Sequence, residues 1–361
     1  MTTFDLHIMR RLLAGFLLLV GALIVFFIVL HYVEYIDDFM DRGATMRQVF
    51  LTYYPSYVPE IVRLTSPLAL FLACVYLTGR LTQSLQITAL QTSGVSLYRL
   101  LWPYVAVALV VTGFMFWFNG WVVPQTNRVV LDFERRYLRD APQELDVSDI
   151  HRQNRPGNYV TVGYFDRERS MAHRVSMQRF DDARHLVARL DAARLVWVDS
   201  LATWRAEDVT LHTFSEAGLV ERRTVAQLDT VLSILPRDLA RTERDVESMT
   251  IPAAAAYIED LERSGAGGLG RPRVGYFVKF AYPFANLILV LIGVPLAAVR
   301  RRGGQAVVIG LGLVTAFAYL AVQKLTEPFG YSDTLDPLVT AWLPHALFFA
   351  VALLILARAR K

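Results

Sequence analysis

Five stretches free of Asp, Glu, Lys and Arg constrain this chain more than any other feature. They cover residues 12–30, 100–127, 280–299, 303–323 and 337–357. A helix needs about 20 apolar residues to cross a hydrocarbon core of about 30 Å, so each qualifies as a membrane span. A sixth run, 64–79, has 16 residues and falls short at about 1.5 Å of rise each. The expected helix therefore begins earlier, near Tyr57, and takes in Glu60 and Arg63. These stand one turn apart, where they can pair and lower the cost of holding charge near the membrane. Arg10 and Arg11 ahead of the first run resemble a signal peptide. The apolar run is too long for one, and His-Tyr-Val-Glu-Tyr follows where a small-residue cleavage site would stand, so the segment reads as a retained anchor. Composition agrees: 54% of residues are hydrophobic and 19% charged, against roughly 25% charged in a soluble domain. High hydrophobicity with a net charge of +4 excludes disorder, and the single cysteine, Cys74, excludes a disulfide scaffold.

Orientation follows from where the basic residues stand. With the N-terminus in the cytoplasm, the inside segments hold Arg10, Arg11, Arg80, Arg99, Arg300, Arg301, Arg302, Arg358, Arg360 and Lys361. The outside short loops hold Arg42, Arg47 and Lys324. The positive balance is thus a topology signal, and no nucleic-acid partner is expected. Six spans with both ends cytoplasmic result.

Residues 128–273 then lie outside. After a charged, helix-like piece, short segments rich in β-branched and aromatic residues alternate with Asp, Arg and Gly turns: 159–164, 173–178, 186–190, 194–198 and 209–214. Such spacing predicts an all-β sandwich or open roll. Fourteen acidic residues and twelve arginines between 141 and 236 nearly cancel. From Thr250 a helix is expected, with Pro252 in its first turn and Gly265 as its stop.

Short catalytic motifs are absent: no G-x-S-x-G, H-E-x-x-H or G-x-x-x-x-G-K-[ST] occurs. The chain is read as noncatalytic, without a nucleotide or metal site of its own. Gly265-Ala-Gly-Gly-Leu-Gly270 matches G-x-G-x-x-G, but it follows a helix where a dinucleotide site requires a strand, so it reads as a linker. His151, His173, His185 and His212 lack metal-ligand spacing. His345 lies inside the sixth run, where an ionisable group is costly; it is either a functional group or a partner for a carbonyl freed by Pro344.

Between Arg80 and Arg99 the inside loop carries no charge, and Leu81, Leu85, Thr88 or Ala89, and Thr92 recur at helical spacing. A short amphipathic helix within 81–94, ending at Gly94, fits. It lies on lipid or packs into a partner's groove; a polar face of Gln and Ser, without basic residues, favours a protein.

Three phrases carry a resemblance: Gln86-Ile-Thr-Ala-Leu-Gln-Thr-Ser-Gly94, Trp121-Val-Val-Pro-Gln125 and Pro295-Leu-Ala-Ala-Val-Arg300. Their order and the topology resemble the YjgP/YjgQ family, the LptF and LptG permease subunits of the lipopolysaccharide exporter. The resemblance covers essentially the whole chain. It implies six transmembrane helices with an all-β, jellyroll-like periplasmic domain inserted between the third and fourth. The corresponding boundaries are 1–139 for the first three spans and coupling helix, 140–248 for the β domain, 249–270 for a helix and linker, and 271–361 for the last three spans. Implied partners are a homologous permease subunit, a cytoplasmic ATPase dimer of the LptB kind that binds ATP and Mg, a periplasmic jellyroll protein of the LptC or LptA kind, and lipopolysaccharide. Implied localisation is the bacterial inner membrane. The segment 250–270 and the short C-terminus lean toward LptG.

The resemblance makes Leu85, Gln86, Thr88, Ala89, Leu90, Gln91 and Gly94 the candidate ATPase-coupling residues. Family members usually carry an acidic residue at the position of Gln86, so this chain offers a hydrogen bond there in place of a salt bridge. Some also carry a lysine near the end of the first span, where this chain has Glu34. Lipid phosphates would then be met by Arg63, Lys279 or Lys324, each near the outer end of a span; the alternative is that these side chains merely snorkel. Glu34, Asp37, Asp38 and Asp41 share one helix face, either solvated or holding divalent cations that bridge to phosphates. Two other functions stay open: an ion-coupled secondary transporter, which would use His345, and a membrane-anchored scaffold recruiting periplasmic proteins.

Overall fold

The computed structural model describes residues 3–138, 144–145, 148–166, 169–181, 183–199, 201, 203–215, 218–230, 232–239, 241–242, 245–265, 268–299 and 303–358. Two compact units emerge: one formed by 1–141, 246–252 and 273–361, the other by 142–245 and 253–272. Among the described residues, six helices are long and apolar enough to cross a membrane: Thr3–Asp41, Met46–Gln83, Leu97–Tyr137, Gly270–Ala298, Gly304–Tyr331 and Pro337–Arg358. They are called the first to sixth spans below.

The second span starts at Met46, well before Tyr57. Thr45 and Gln48 close a reciprocal capping box at this start, and a π-turn, Val49–Tyr53, leads into the regular helix. The third span continues past its charge-free run to Tyr137, interrupted by a second π-turn, Phe118–Val122, just before Pro124. Proline lacks the amide that would continue the ladder, and a widened turn accommodates it.

The second and fourth spans form the centre of this unit and the others pack around them: 72% of the fourth span's apolar window is buried, against 17% for the first. One cluster joins Leu12, Phe16, Leu70, Cys74, Tyr104 and Val290. Another joins Phe71, Val75, Ile292, Tyr319 and Phe348. Gly293 permits a close approach, since a Cβ there would meet Phe71 ring carbons at 3.0 and 3.1 Å. Bundles in lipid rely on such small residues because burial of apolar surface gives no drive between helices. Toward the outer ends, Tyr53 hydrogen-bonds His31 Nε2 at 3.1 Å and donates to Glu134 Oε1 at 3.2 Å, tying the first three spans together.

The second unit is an antiparallel sheet. Strands β1 (Glu144–Leu145) and β8 (Arg241–Thr242) form a two-residue ladder; β2 (Ser148–Arg155), β3 (Asn158–Asp166), β4 (Met171–Phe180), β5 (Leu186–Val198), β6 (Thr203–Ser215) and β7 (Gly218–Thr230) form a six-stranded sheet in sequential order. The described strands thus form an open meander rather than a two-sheet sandwich. Two expected segments, 186–190 and 194–198, are a single strand. The charges between them, Asp191 and Arg194, are carried within its pairing: Arg194 meets Glu207 across the ladder at 3.2 Å. β2 and β7, rich in polar residues, were not anticipated. Trp204 anchors the core, fully buried, with its indole N–H donating to the Ile234 carbonyl at 2.7 Å. The helix Ile251–Arg263 begins right after Thr250 as expected, and Gly265 follows it at φ +67°.

Candidate functional site

The feature that gathers the most chemistry is a cavity of about 550 Å³ inside the membrane unit. Glu60 and Arg63, three residues apart on the second span, do pair: Arg63 Nε donates to Glu60 Oε2 at 2.9 Å, and a guanidinium N–H contacts Oε1. Asn127 of the third span donates to the same carboxylate at 3.2 Å. The guanidinium lies over the Tyr282 ring, 5.4 Å from its centre, and Tyr282 in turn donates to the Leu64 carbonyl at 2.9 Å. Arg63 is thereby oriented by a fork, a ring and a neighbouring amide, as a planar cation suited to bidentate oxyanion contacts.

Lys279 enters from the fourth span, 6% exposed. Asn119 of the third span donates to its backbone carbonyl at 3.0 Å and sets the position of that turn. Glu60 and Glu247 lie within electrostatic reach of its ammonium, yet Lys279 makes no direct ion pair among the described residues. Lys324, on the fifth span, is mostly exposed and pairs with Glu327 at 2.9 Å, one turn on. Apolar side chains form the remaining walls, including Leu23, Phe27, Leu68, Val278, Phe317 and Leu320. The cavity thus joins three cations and three carboxylates, Glu60, Glu247 and Glu327, to walls of hydrocarbon.

Three residues singled out from the sequence, Arg63, Lys279 and Lys324, line this one cavity. Glu34 and Asp37 do not line it; both are exposed on the outer part of the first span. Sequence reasoning missed Glu247, Asn119, Asn127 and Tyr282. The two asparagines carried a signal, being amides within a long apolar run, where a polar group is retained only with a partner. Glu247 carried none. His345, 3% exposed, lies edge-on to Tyr319 and beside Trp342 and does not line the cavity.

At the cytoplasmic end, the second span runs through Gln83, and a separate helix spans Gln86–Thr92. Leu85 breaks the two apart at φ +61°, a left-handed conformation costly for a leucine. Gly94, at φ +88°, closes the short helix: its N–H bonds the Gln91 carbonyl and that of Val95 the Leu90 carbonyl, both at 3.0 Å. This is the Schellman arrangement. Ile87 is buried and Leu90 packs against the span cluster, whereas Leu85, Gln86, Thr88, Ala89 and Gln91 are exposed. Ile87 and Leu90 face the protein's own bundle, so of the expected stripe Leu85, Thr88, Ala89 and Thr92 lie outward, one exposed leucine amid small and amide side chains. Next to this helix, Arg99 forks onto the buried Asp5 carboxylate at 2.7 and 3.0 Å, tying the third span to the start of the first.

Arg300, Arg301, Arg302, Arg360 and Lys361, which contributed to the orientation argument, lie outside the described residues, as do Ala266 and Gly267 of the glycine-rich segment. That segment leads from one helix into another, with Gly270 opening the fourth span. The sheet unit has a concavity of its own, about 430 Å³, lined by Val160, Met177, Leu190 and Leu211 together with Arg155 and Arg179.

Comparison with known proteins places these features in context. Residues 6–358 match the family described as lipopolysaccharide export system permease LptF/LptG. The lipopolysaccharide export system permease proteins LptG of Escherichia coli strain K12 and of Escherichia coli O6:H1 are each 22% identical to this chain over 316 residues, covering 83% of this chain and 83% of the relative.

Proposed function

The chain belongs to the LptF/LptG family of lipopolysaccharide export permeases, and from that premise we propose that it is one permease subunit of an ATP-driven exporter that takes lipopolysaccharide from the inner membrane. It does so beside a homologous permease subunit, with ATP and Mg held by a cytoplasmic ATPase dimer of the LptB kind. The observation that carries this reading is the cavity: Arg63, Lys279 and Lys324 share it with walls of leucine, valine and phenylalanine. A phosphorylated lipid presents the complementary surface, oxyanions at one end and acyl chains at the other.

The exposed face of Gln86–Thr92, preceded by Leu85, is the proposed ATPase contact. Gln86, Thr88, Ala89 and Gln91 surround Leu85 as the apolar anchor, and Gly94 sets where the helix ends. The six-stranded sheet is the proposed contact for a periplasmic jellyroll protein of the LptC or LptA kind. Its outermost strands, β2 and β7, each pair with one neighbour only within that sheet, and such edges accept an added strand. Assignment to the LptG side of the family is supported by the helix Ile251–Arg263 after the sheet and by the two LptG relatives.

Photo-crosslinkers placed at Phe27 and Val278 in the cavity, and at Leu211 in the sheet, test the reading in the assembled complex. Lipopolysaccharide is expected to crosslink at all three. Crosslinking at Leu211 alone would favour a scaffold that only presents the sheet.

A further inference from the structure

Lys279 stands four residues before Pro283 on the fourth span. In a helix its carbonyl would accept from the amide of residue 283, and a proline has none. The helix Gly270–Ala281 accordingly gives way to a short 3₁₀ segment, Tyr282–Phe284, before helix resumes at Ala285. A carbonyl freed inside a membrane unit is costly unless a neighbouring helix supplies a donor. Asn119 supplies it: its side-chain amide donates to the Lys279 carbonyl at 3.0 Å, and both residues are buried, 4% and 6% exposed. Because the acceptor is a carbonyl, the Asn119 group that meets it is Nδ2. Asn119 reaches this point from the π-turn Phe118–Val122, where the Val123 amide bonds the Phe118 carbonyl five residues back. The added residue changes which side chains of the third span face its neighbour.

The break carries two side chains into the cavity lining, Lys279 and Tyr282. Lys279 brings its ammonium, and the Tyr282 ring lies against the Arg63 guanidinium, 5.4 Å from ring centre to cation. One hydrogen bond thus sits at the root of the wall that presents two of the three cations, Lys279 directly and Arg63 through the ring it rests on. We propose that Asn119 is a positioning residue for an anionic lipid: by giving the Lys279 carbonyl the donor that Pro283 withholds, it fixes the turn that sets both cations. The proposal rests on the cavity being the site of such a lipid. Without the Asn119 donor the carbonyl must find another partner, by rotation of the turn or by admitting water, and either moves the ammonium relative to the Glu60–Arg63 pair. A lipid with two phosphates uses both cations and loses most; a zwitterionic lipid, whose own ammonium offsets its phosphate, loses little. A compensating change exists within the fourth span itself. Pro283→Ala returns an amide to the ladder, and the Lys279 carbonyl then no longer depends on the third span.

The test uses the full complex in nanodiscs, probed by native mass spectrometry with bisphosphoryl lipid A and phosphatidylethanolamine. Asn119→Ala should lower lipid A binding by about fivefold, the order for one hydrogen bond, with phosphatidylethanolamine binding unchanged. Asn119→Ala combined with Pro283→Ala should bind lipid A like the wild type, a rescue that a merely loosened fold would not show. Unchanged lipid A binding by Asn119→Ala, an equal loss for phosphatidylethanolamine, or a double variant that binds as weakly as the single one overturns the proposal. If Asn119→Ala alone does not assemble, the double variant decides: assembly with wild-type lipid A binding supports the bond to the Lys279 carbonyl as the role of Asn119, and any other outcome overturns it. Wild-type protein that binds lipid A no better than phosphatidylethanolamine would refute the cavity reading itself, and the proposal with it.

Discussion

At the scale of single residues, position relative to the membrane decides what a charge does. Lys279 is buried in the cavity wall, where an ionisable group is rare and expensive. Lys279→Gln should lower lipid A binding in nanodiscs by about tenfold, equivalent to about 1.4 kcal/mol, with phosphatidylethanolamine binding unchanged. The sheet unit shows the opposite regime. Arg205 hydrogen-bonds Asp229 across the β6–β7 ladder at 2.8 Å, which holds this exposed carboxyl below its ordinary value of 3.8. The folded state thus binds that proton less readily than the unfolded chain. The pair's contribution is full above the ordinary value and disappears as pH falls through the lower folded one. Asp229→Asn should accordingly weaken hydrogen-exchange protection of residues 218–230 at pH 7, and the difference from wild type should close as pH falls below 3.8. Salt should shrink the effect, since both groups face water.

At the scale of elements, the short helix Gln86–Thr92 separates what spacing can tell from what packing decides. Uncharged helical periodicity and Gly94 placed a short helix near the inner surface, and the helix Gln86–Thr92 is closed at Gly94. Spacing put Leu85 on the apolar stripe with Leu81 and left Leu90 off it, and packing reverses the two. The left-handed backbone at Leu85 turns that side chain into the open, while Leu90 packs inward. Leu85→Glu is therefore expected to leave thermal stability near wild type and abolish copurification of the ATPase. Leu90→Glu should lower the melting temperature first, because it drives a carboxylate into an apolar contact. A similar lesson holds in the sheet. β5 was divided because its charges resemble turn signals, and only the ladder to β4 and β6 shows them paired across strands. β7 escaped notice because a polar strand is identified by its hydrogen-bonded neighbour, which local pattern does not contain.

At the scale of the whole molecule, orientation rests on arginines in loops, and Cys74 makes it measurable. It is the chain's sole cysteine and is fully buried, so an impermeant maleimide should give little background. A cysteine at Thr213 should label in cells with only the outer membrane permeabilised, and one at Ser93 only after the inner membrane is opened. Reversed labelling would overturn the topology. By itself the sequence determined the six spans, their direction and the strand-rich insertion, because apolar length, loop charge and side-chain alternation are local quantities that lipid and water read directly. It also supplied Arg63, Lys279 and Lys324 as separate candidates at the outer ends of three spans. Only the tertiary structure decided that they share a cavity, and that Glu60, Glu327 and, from a segment beyond the sheet, Glu247 line it with them. Those relations are set by how helices distant in sequence pack, through contacts such as Gly293 against Phe71 and Asn119 against the Lys279 carbonyl. Electrostatic balance in a low-dielectric cavity depends on distances between such side chains, and no spacing along the chain encodes them.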